Sequence, residues 1–89
     1  RPENIPKDWV KVPSKKGEGT KYVDPKNVGN EVRVQKGNPT NSQPGQRQDY
    51  VTWKRNGQHL DKNGNQVSRQ SLESHIPIDE FTFRPELFK

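Results

Sequence analysis

The segment from Tyr50 to Leu60 reads YVTWKRNGQHL and encodes a β-hairpin. Its first half alternates apolar and polar residues, which is the two-residue period of a half-buried strand. The pair Asn56-Gly57 then accepts the positive φ angles that a type I′ turn requires. Gln58, His59 and Leu60 return after this turn. The segment therefore predicts two neighbouring antiparallel strands, beside which the other short strands of the chain can pair.

Several other segments alternate in the same way. The clearest is Glu31–Gln35, in which Val32 and Val34 point to one face and the polar residues to the other. Further candidate strands are Trp9–Val12, Thr20–Val23, Gln66–Val67, His75–Ile78 and Phe81–Phe83, with one helical turn in Ser68–Glu73. No segment shows a long helical period. The sequence therefore predicts a mainly β fold (α+β at most), a small twisted antiparallel sheet of four to five strands with little helix.

The apolar residues of these strands form the predicted core. Its members are Trp9, Val12, Tyr22, Val32, Val34, Val51, Trp53, Leu60, Ile76, Ile78, Phe81 and Phe83. Residues 1–8 are expected to form an irregular arm, since Pro2 and Pro6 oppose a helix there. Gly37–Gln48 is expected to be a long loop of the kind that is functional or mobile.

The composition is that of one small, polar and basic domain. The 89 residues carry 16 Lys and Arg against 11 Asp and Glu, a net charge of +5, and only 24% are hydrophobic. A chain of this length forms one domain with a thin core. The positive balance favours attraction to phosphates, although a lysine-rich surface can also serve solubility alone.

Several classes of protein are disfavoured by the same sequence. The chain has no Cys, so it holds no disulfide and no thiolate metal site. Two histidines cannot complete a closed zinc site without carboxylates, and no metal or cofactor is expected. No apolar stretch approaches the ~20 residues of a membrane span. Because the chain begins at Arg1 and contains no Met, we expect residues 1–89 to be a single domain cut from a larger protein.

Strand alternation also places polar residues together on the face opposite the core. The residues expected there are His75, Arg33, Thr52 and Lys54. RNA carries its own nucleophile, the 2′-OH, so a ribonuclease without metal needs a base, an acid and cations for the phosphate. Histidine suits the first two roles, and Arg and Lys suit the third. These four residues are therefore the candidate catalytic set.

Each candidate also has an ordinary structural interpretation. His75 fits a hydrogen-bonded strand residue, Arg33 a charge that keeps a strand edge solvated, and Thr52 a residue of high strand propensity. His59 follows the hairpin turn and is the alternative histidine. The candidate RNA-binding residues are Lys15, Lys16, Arg47 and Arg55, which are otherwise solvated cations.

Short segments spread over most of the chain occur in a specific order. They are Gly19–Pro25, Glu31–Val34 with Gly37–Pro39, Asn56–Gly57 with Leu60–Gly64, and His75–Pro77 with Phe81. In this order they resemble the C-terminal toxin domains of bacterial polymorphic toxins, both the effectors of contact-dependent growth inhibition and the related toxins of Gram-positive bacteria.

The resemblance implies an endoribonuclease, since such domains generally cleave RNA and several of them act on transfer RNA, which we expect as the substrate here. Attack by the 2′-OH would leave 2′,3′-cyclic phosphate ends. The resemblance implies a small sheet like those of the barnase, EndoU, colicin and RelE group, although long amino-terminal helices and a paired Glu and His are missing from the pattern. It also implies export at the C-terminus of a large secreted or cell-surface protein and action in the target-cell cytoplasm. The implied partners are an acidic immunity protein and, for some members, elongation factor Tu. His75 and Arg33 are the best catalytic candidates on this basis.

Two other functions fit the sequence. The domain could be a non-catalytic basic module that binds RNA or a protein, or a cell-entry or docking piece of a toxin. The docking piece would not need His75. Incubation with total cellular RNA, with and without His75, separates a nuclease from both alternatives.

Overall fold

The computed structural model describes residues 5–13, 19–37, 40 and 49–88, which form one antiparallel sheet of six strands. The strands are β1 (Val10–Pro13), β2 (Thr20–Asp24), β3 (Asn27–Gln35), β4 (Tyr50–Arg55), β5 (Gln58–Leu60) and β6 (Ile76–Pro77). Short 3₁₀ turns lie at Leu72–Ser74, Ile78–Glu80 and Pro85–Phe88. No helix within these ranges is long and apolar enough to cross a bilayer. The predicted mainly β fold with little helix is confirmed.

The strand order brings two later segments to one edge of β4. The sheet runs β1-β2-β3-β4-β5, and β6 pairs with β4 as well. Strand β3 occupies one edge of β4 over most of its length. On the other edge, β5 pairs with the end of β4 and β6 with its first two residues. Because β5 and β6 share this edge, the segments that carry His59 and His75 become neighbours.

The predicted Asn-Gly turn between β4 and β5 is confirmed. Asn56 has a φ of 53° and Gly57 a φ of 81°, the pair of positive angles that defines a type I′ turn. The turn is fixed to β3, because the Asn56 N–H donates to Asn30 Oδ1 at 2.9 Å and the Gly57 N–H donates to the Gly29 carbonyl at 2.9 Å. Asn27 Nδ2 donates to Asn56 Oδ1 at 2.7 Å. These bonds set the register of the hairpin against the rest of the sheet.

One face of the sheet is covered by the aromatic core. Its buried apolar residues are Ile5, Trp9, Tyr22, Val32, Val51, Trp53, Leu60, Ile76 and Phe83. Trp53 is completely buried, packs edge-to-face against Phe81 at 5.1 Å between ring centroids, and donates its Nε1–H to the Asp61 carbonyl at 2.9 Å. The sheet is therefore covered on one side, and its other side is available for polar residues.

The predicted core and strands need four corrections. Val12 pairs with Lys21 and lies on the opposite face of the sheet, because Lys11 is the β1 residue that pairs with buried Tyr22. Ile78 is 47% exposed, since the chain leaves the sheet after Pro77 and enters a 3₁₀ turn.

The other two corrections concern the ends of the described chain. Phe81–Phe83 is not a strand, although the rings of Phe81 and Phe83 do pack against Trp53. Ile5, within the expected irregular arm, is buried and belongs to the core.

Candidate active site

The sheet face opposite the core carries a continuous set of polar side chains, which we call the polar face. Its members are Lys21 on β2, Glu31 and Arg33 on β3, Tyr50, Thr52 and Lys54 on β4, and His59 on β5. They share a face because directly paired residues in a sheet point the same way and every second residue of each strand enters the core. Two cross-strand rows result. Arg33 pairs with Lys21 on one side and Thr52 on the other, while Lys54 lies between Glu31 and His59.

A buried carboxylate lies at the centre of the polar face. Lys54 Nζ lies 2.6 Å from Glu31 Oε1, and Arg33 Nη2 lies 3.5 Å from Glu31 Oε2. The Glu31 side chain is 7% exposed, against 29% for Lys54 and 35% for Arg33. Burial opposes ionisation, but the hydrogen bond from Lys54 and the charges of Lys54, Arg33 and Lys21 outweigh it and lower the pKa of Glu31. Glu31 is therefore an anion that holds two cations in place.

His59 is the half-buried histidine of the polar face. It pairs with Lys54 across the β4–β5 ladder. Burial lowers the pKa of His59, and the neighbouring charges of Lys54 and Arg69 lower it further, while Glu31 acts in the opposite direction. The imidazole is consequently neutral at pH 7 and can accept a proton.

His75 is held at the edge of this face by the 3₁₀ turn Leu72–Ser74. The backbone N–H of His75 donates to the Leu72 carbonyl at 3.0 Å. Its Nδ1 lies 3.0 Å from both the Ser71 carbonyl oxygen and Ser74 Oγ. A carbonyl oxygen can only accept a hydrogen bond, so we assign the proton of the neutral ring to Nδ1, which leaves the lone pair on Nε2. Ser74 is completely buried, and its hydroxyl donates to the Ser71 carbonyl at 2.8 Å. This bond holds the two hydrogen-bond partners of His75 Nδ1 in place.

Tyr50 joins His75 to the polar face. The two ring centroids lie 5.2 Å apart at an interplanar angle of 54°. Burial raises the pKa of Tyr50, so its hydroxyl keeps its proton and remains a donor. Since His75 directly precedes β6, which pairs with the first two residues of β4, the antiparallel register leads it toward Thr52. His59 pairs with Lys54, two residues or about 7 Å further along the same strand edge.

Three side-chain atoms of this face are buried without a hydrogen-bond partner. Within the described ranges, the buried polar side-chain atoms of this kind are Glu31 Oε2, Arg33 Nε and His59 Nδ1. Native proteins satisfy most buried polar groups, so each exception needs an explanation, and a binding or catalytic role is one of them. That all three belong to the polar face identifies it as the part of the described structure with unused bonding capacity.

The structure gathers the four predicted catalytic residues at one site. Arg33, Thr52 and Lys54 lie on the polar face, and His75 lies at its edge against Tyr50. Arg55 is placed apart from them: it is the next residue after Lys54 and lies on the other side of the sheet, near Asp24. Lys15, Lys16 and Arg47 lie outside the described residues. In the described part of the chain, no three or more His, Cys, Asp or Glu side chains form a group that could hold a metal ion.

Two members of the site, Glu31 and Tyr50, are not among the residues predicted from the sequence, although the alternation that selects Arg33 and Thr52 also places them on this face. His59 is the alternative histidine of the sequence analysis. Its place after the hairpin turn predicts an exposed side chain, whereas it is half-buried and feels the charge of Glu31. Its position depends on the β4–β5 register, and the turn at Asn56-Gly57 was the signal that could have supplied it.

No family model matches this chain, and no curated protein or solved structure matches it either.

Proposed function

We propose that this domain is a metal-independent endoribonuclease that cleaves transfer RNA by attack of the 2′-OH. The observation that carries the proposal is the convergence of two imidazoles, a guanidinium and an ammonium on one sheet face, around a buried carboxylate. Acid–base groups together with fixed cations are the complete requirement of this reaction. The resemblance to polymorphic toxin domains supports the same activity.

His59 acts as the general base. Its lowered pKa keeps the ring neutral at pH 7, the state needed to take the proton from the 2′-OH. The 2′ oxygen then forms a bond to phosphorus while the bond from phosphorus to the 5′ oxygen breaks. The products carry a 2′,3′-cyclic phosphate and a 5′-OH.

His75 acts as the general acid at the leaving 5′ oxygen. Nδ1 is already committed to the Ser71 carbonyl and Ser74 hydroxyl, so His75 acts from its imidazolium form, which carries a second proton on Nε2 and gives that proton to the 5′ oxygen. His59 and His75 lie beside positions two residues apart on β4, a backbone spacing of about 7 Å, and from there their rings can reach opposite sides of a single phosphate, as an in-line displacement requires.

Arg33 and Lys54 stabilise the charge on the phosphate. Arginine offers a planar fork of donors and lysine a compact ammonium, and both suit phosphate oxygens. Glu31 is a positioning residue, because its carboxylate contacts both cations from their buried side and is itself nearly inaccessible to solvent. Its lowered pKa makes it a weak base and leaves proton abstraction to His59.

The charge of the polar face also favours particular partners. Lys21 on β2 and Arg69 beyond β5 extend the cations past both sides of the catalytic set. Such a row attracts the RNA backbone, and it equally attracts an acidic protein that covers the site. We therefore propose an acidic immunity protein as the protecting partner, made by a cell that exports this domain as part of a larger toxin.

RNA binding without cleavage is the second candidate function. The same row of cations supports it, and it requires neither histidine. It predicts salt-dependent RNA affinity and no change in the RNA chain.

Cleavage of purified transfer RNA in excess EDTA tests the proposal. We expect products with 5′-OH and 2′,3′-cyclic phosphate ends. Lys54→Ala should slow cleavage, whereas Lys11→Ala, which removes a strand lysine on the other face, should not. Intact RNA, or cleavage that stops in EDTA and returns with magnesium, would contradict the mechanism.

A further inference from the structure

A third cross-strand row forms the end of the polar face at the first residue of β4. Tyr50 pairs there with Gln35 on β3, and this row adjoins the row in which Arg33 pairs with Thr52. Every second residue of a strand points the same way, so Tyr50 and Gln35 lie on the same face as Arg33, about 7 Å further along the strands. A ligand held by this row therefore lies next to the cations of the polar face.

Hydrogen bonds on both sides hold this row in place. The backbone N–H of Gly37 donates to Asp49 Oδ1 at 2.9 Å, which joins the end of β3 to the residue before β4. The backbone N–H of Ile78 donates to the Asp49 carbonyl at 3.2 Å, which joins the same residue to the turn after β6. The ring of Tyr50 also contacts His75, with 5.2 Å between the ring centroids. Tyr50 is thus positioned before any ligand arrives.

Gln35 leans away from Tyr50, because Gly19 leaves room for it on the other side. Gly19 directly precedes Thr20, which pairs with Val34, so Gly19 lies beside Gln35. A β-carbon at Gly19 would overlap Gln35 Oε1 and would lie 2.9 Å from Gln35 Cδ. The amide of Gln35 therefore occupies, on the β2 side, the space that any larger residue at position 19 would take. It does not cover the β3 side of Tyr50.

An aromatic ring beside a side-chain amide suits a nucleobase. Every nucleobase has a flat π face, and stacking on tyrosine is a common way for proteins to hold unpaired RNA bases. The amide of Gln35 carries donors and an acceptor, which match the edge of a nucleobase stacked on Tyr50. Burial raises the pKa of Tyr50 and the charge of Arg33 acts in the opposite direction, which places the phenol near that guanidinium. The nucleobase and its phosphate can therefore be bound together.

We infer that Tyr50 stacks on the nucleobase of the nucleotide on the 3′ side of the cleaved bond, while Arg33 and Lys54 hold the 5′ phosphate of that nucleotide. The identity of this ligand rests on the proposed ribonuclease function. The side of the bond follows from His75, since the proposed acid at the leaving 5′ oxygen is in contact with the Tyr50 ring. The cations bind any backbone, whereas a stacked nucleobase must be unpaired, so this row directs cleavage to single-stranded parts of the RNA.

Titration with adenosine 5′-monophosphate and with ribose 5-phosphate, followed by amide chemical shifts, tests this inference without any cleavage. Both ligands carry a phosphate on the 5′ carbon of ribose, and only the first carries a nucleobase. We expect the adenosine nucleotide to bind about 5- to 150-fold more tightly, the range that stacking of one nucleobase on an aromatic side chain provides. It should also shift Tyr50 and Gln35, which ribose 5-phosphate should leave in place.

Two variants show whether the ring is responsible. Tyr50→Leu removes the aromatic face and should abolish the difference in affinity between the two ligands. Tyr50→Phe, the matched control, keeps the ring and should retain most of it. If Tyr50→Leu does not fold, the two ligands compared on the unaltered protein, with the shifts mapped to Tyr50 and Gln35, still decide the inference.

The outcomes separate the inference from the proposed function. Equal affinity for the two ligands, binding of neither, or a full preference for the adenosine nucleotide in folded Tyr50→Leu protein would overturn the base site even if the protein cleaves RNA. Tighter binding of the adenosine nucleotide at Tyr50 by a protein that leaves RNA intact would support the base site and refute the nuclease.

Discussion

Lys54 Nζ and Glu31 Oε1 lie 2.6 Å apart at a directly paired position of strands β4 and β3. The carboxylate is nearly inaccessible, while the ammonium is partly exposed. Arg33 reaches the second oxygen of the same carboxylate from its own strand. One buried anion therefore holds two cations side by side on a face that also carries an imidazole. This arrangement presents positive charge outward at little conformational cost, because the side chains are already ordered before a phosphate arrives.

Glu31→Gln should lower both stability and activity. The amide keeps the shape of the side chain but leaves Arg33 and Lys54 to repel one another. Since both cations are partly solvated, we expect the free energy of unfolding to fall by about 1–2 kcal/mol, measured by urea denaturation. Glu73→Gln, an exposed change on a 3₁₀ turn, is the matched control and should cost almost nothing. Equal stability of the two variants would show that Glu31 does not organise the site.

Stability should fall as the pH is lowered from neutrality. The folded-state pKa values of His59 and Glu31 are both below their ordinary values, so the unfolded chain binds more protons than the folded one. The contribution of His59 is complete above about pH 6.5 and that of Glu31 above about pH 4.3, and each is lost as the pH falls further. Urea midpoints between pH 8 and pH 2 measure both steps. His59→Gln should remove the loss of stability below about pH 6.5 and retain the loss below about pH 4.3. If the loss below about pH 6.5 is unchanged in this variant, it does not come from His59.

Gly57→Ala should destabilise the hairpin by about 1 kcal/mol, because φ is +81° at this position. An added Cβ would meet no atom within 4 Å, so the cost is conformational rather than steric. Asn56→Asp retains a residue that tolerates positive φ and serves as the control. Thermal or urea unfolding measures both variants. A neutral Gly57→Ala would mean that the turn can adopt another type.

RNA affinity should fall steeply with salt, and the polar face should carry this dependence. Lys54→Ala should make the slope of log K against log [salt] less steep, by the amount that corresponds to about one lost phosphate contact. Arg55→Ala removes a cation from the other side of the sheet and should change the slope less, even though the two residues adjoin in the chain. Affinities measured between 50 and 300 mM salt give both slopes. A larger effect at Arg55 would move the RNA to the opposite face.

The sheet and the candidate catalytic residues differ in how far the sequence determines them. Alternation and the Asn-Gly turn predict β3, β4 and β5, because period and turn chemistry are local properties. The same alternation places Arg33, Thr52 and Lys54 on one face. It misplaces Val12, since the face of an edge strand depends on its register with β2, which no local signal gives.

The neighbourhood of the two histidines could not be read from local patterns. His59 and His75 approach one another only because β5 and β6 share an edge of β4, a long-range pairing. The burial of Glu31 is also a tertiary result, since its own strand pattern matches that of any solvated glutamate. Tertiary contacts therefore decided the parts of the site that determine its electrostatics.

Cleavage of total transfer RNA by His75→Ala protein, in excess EDTA, tests the central claim most directly. The account predicts a rate lowered by about 10²–10⁴-fold, the usual value of acid–base assistance, with the fold retained because the ring lies at the surface edge of the sheet. His59→Ala should cause a loss of similar size, and Lys11→Ala should cut at the wild-type rate. Cleavage by folded His75→Ala protein at the wild-type rate would contradict the account and leave His75 a structural residue.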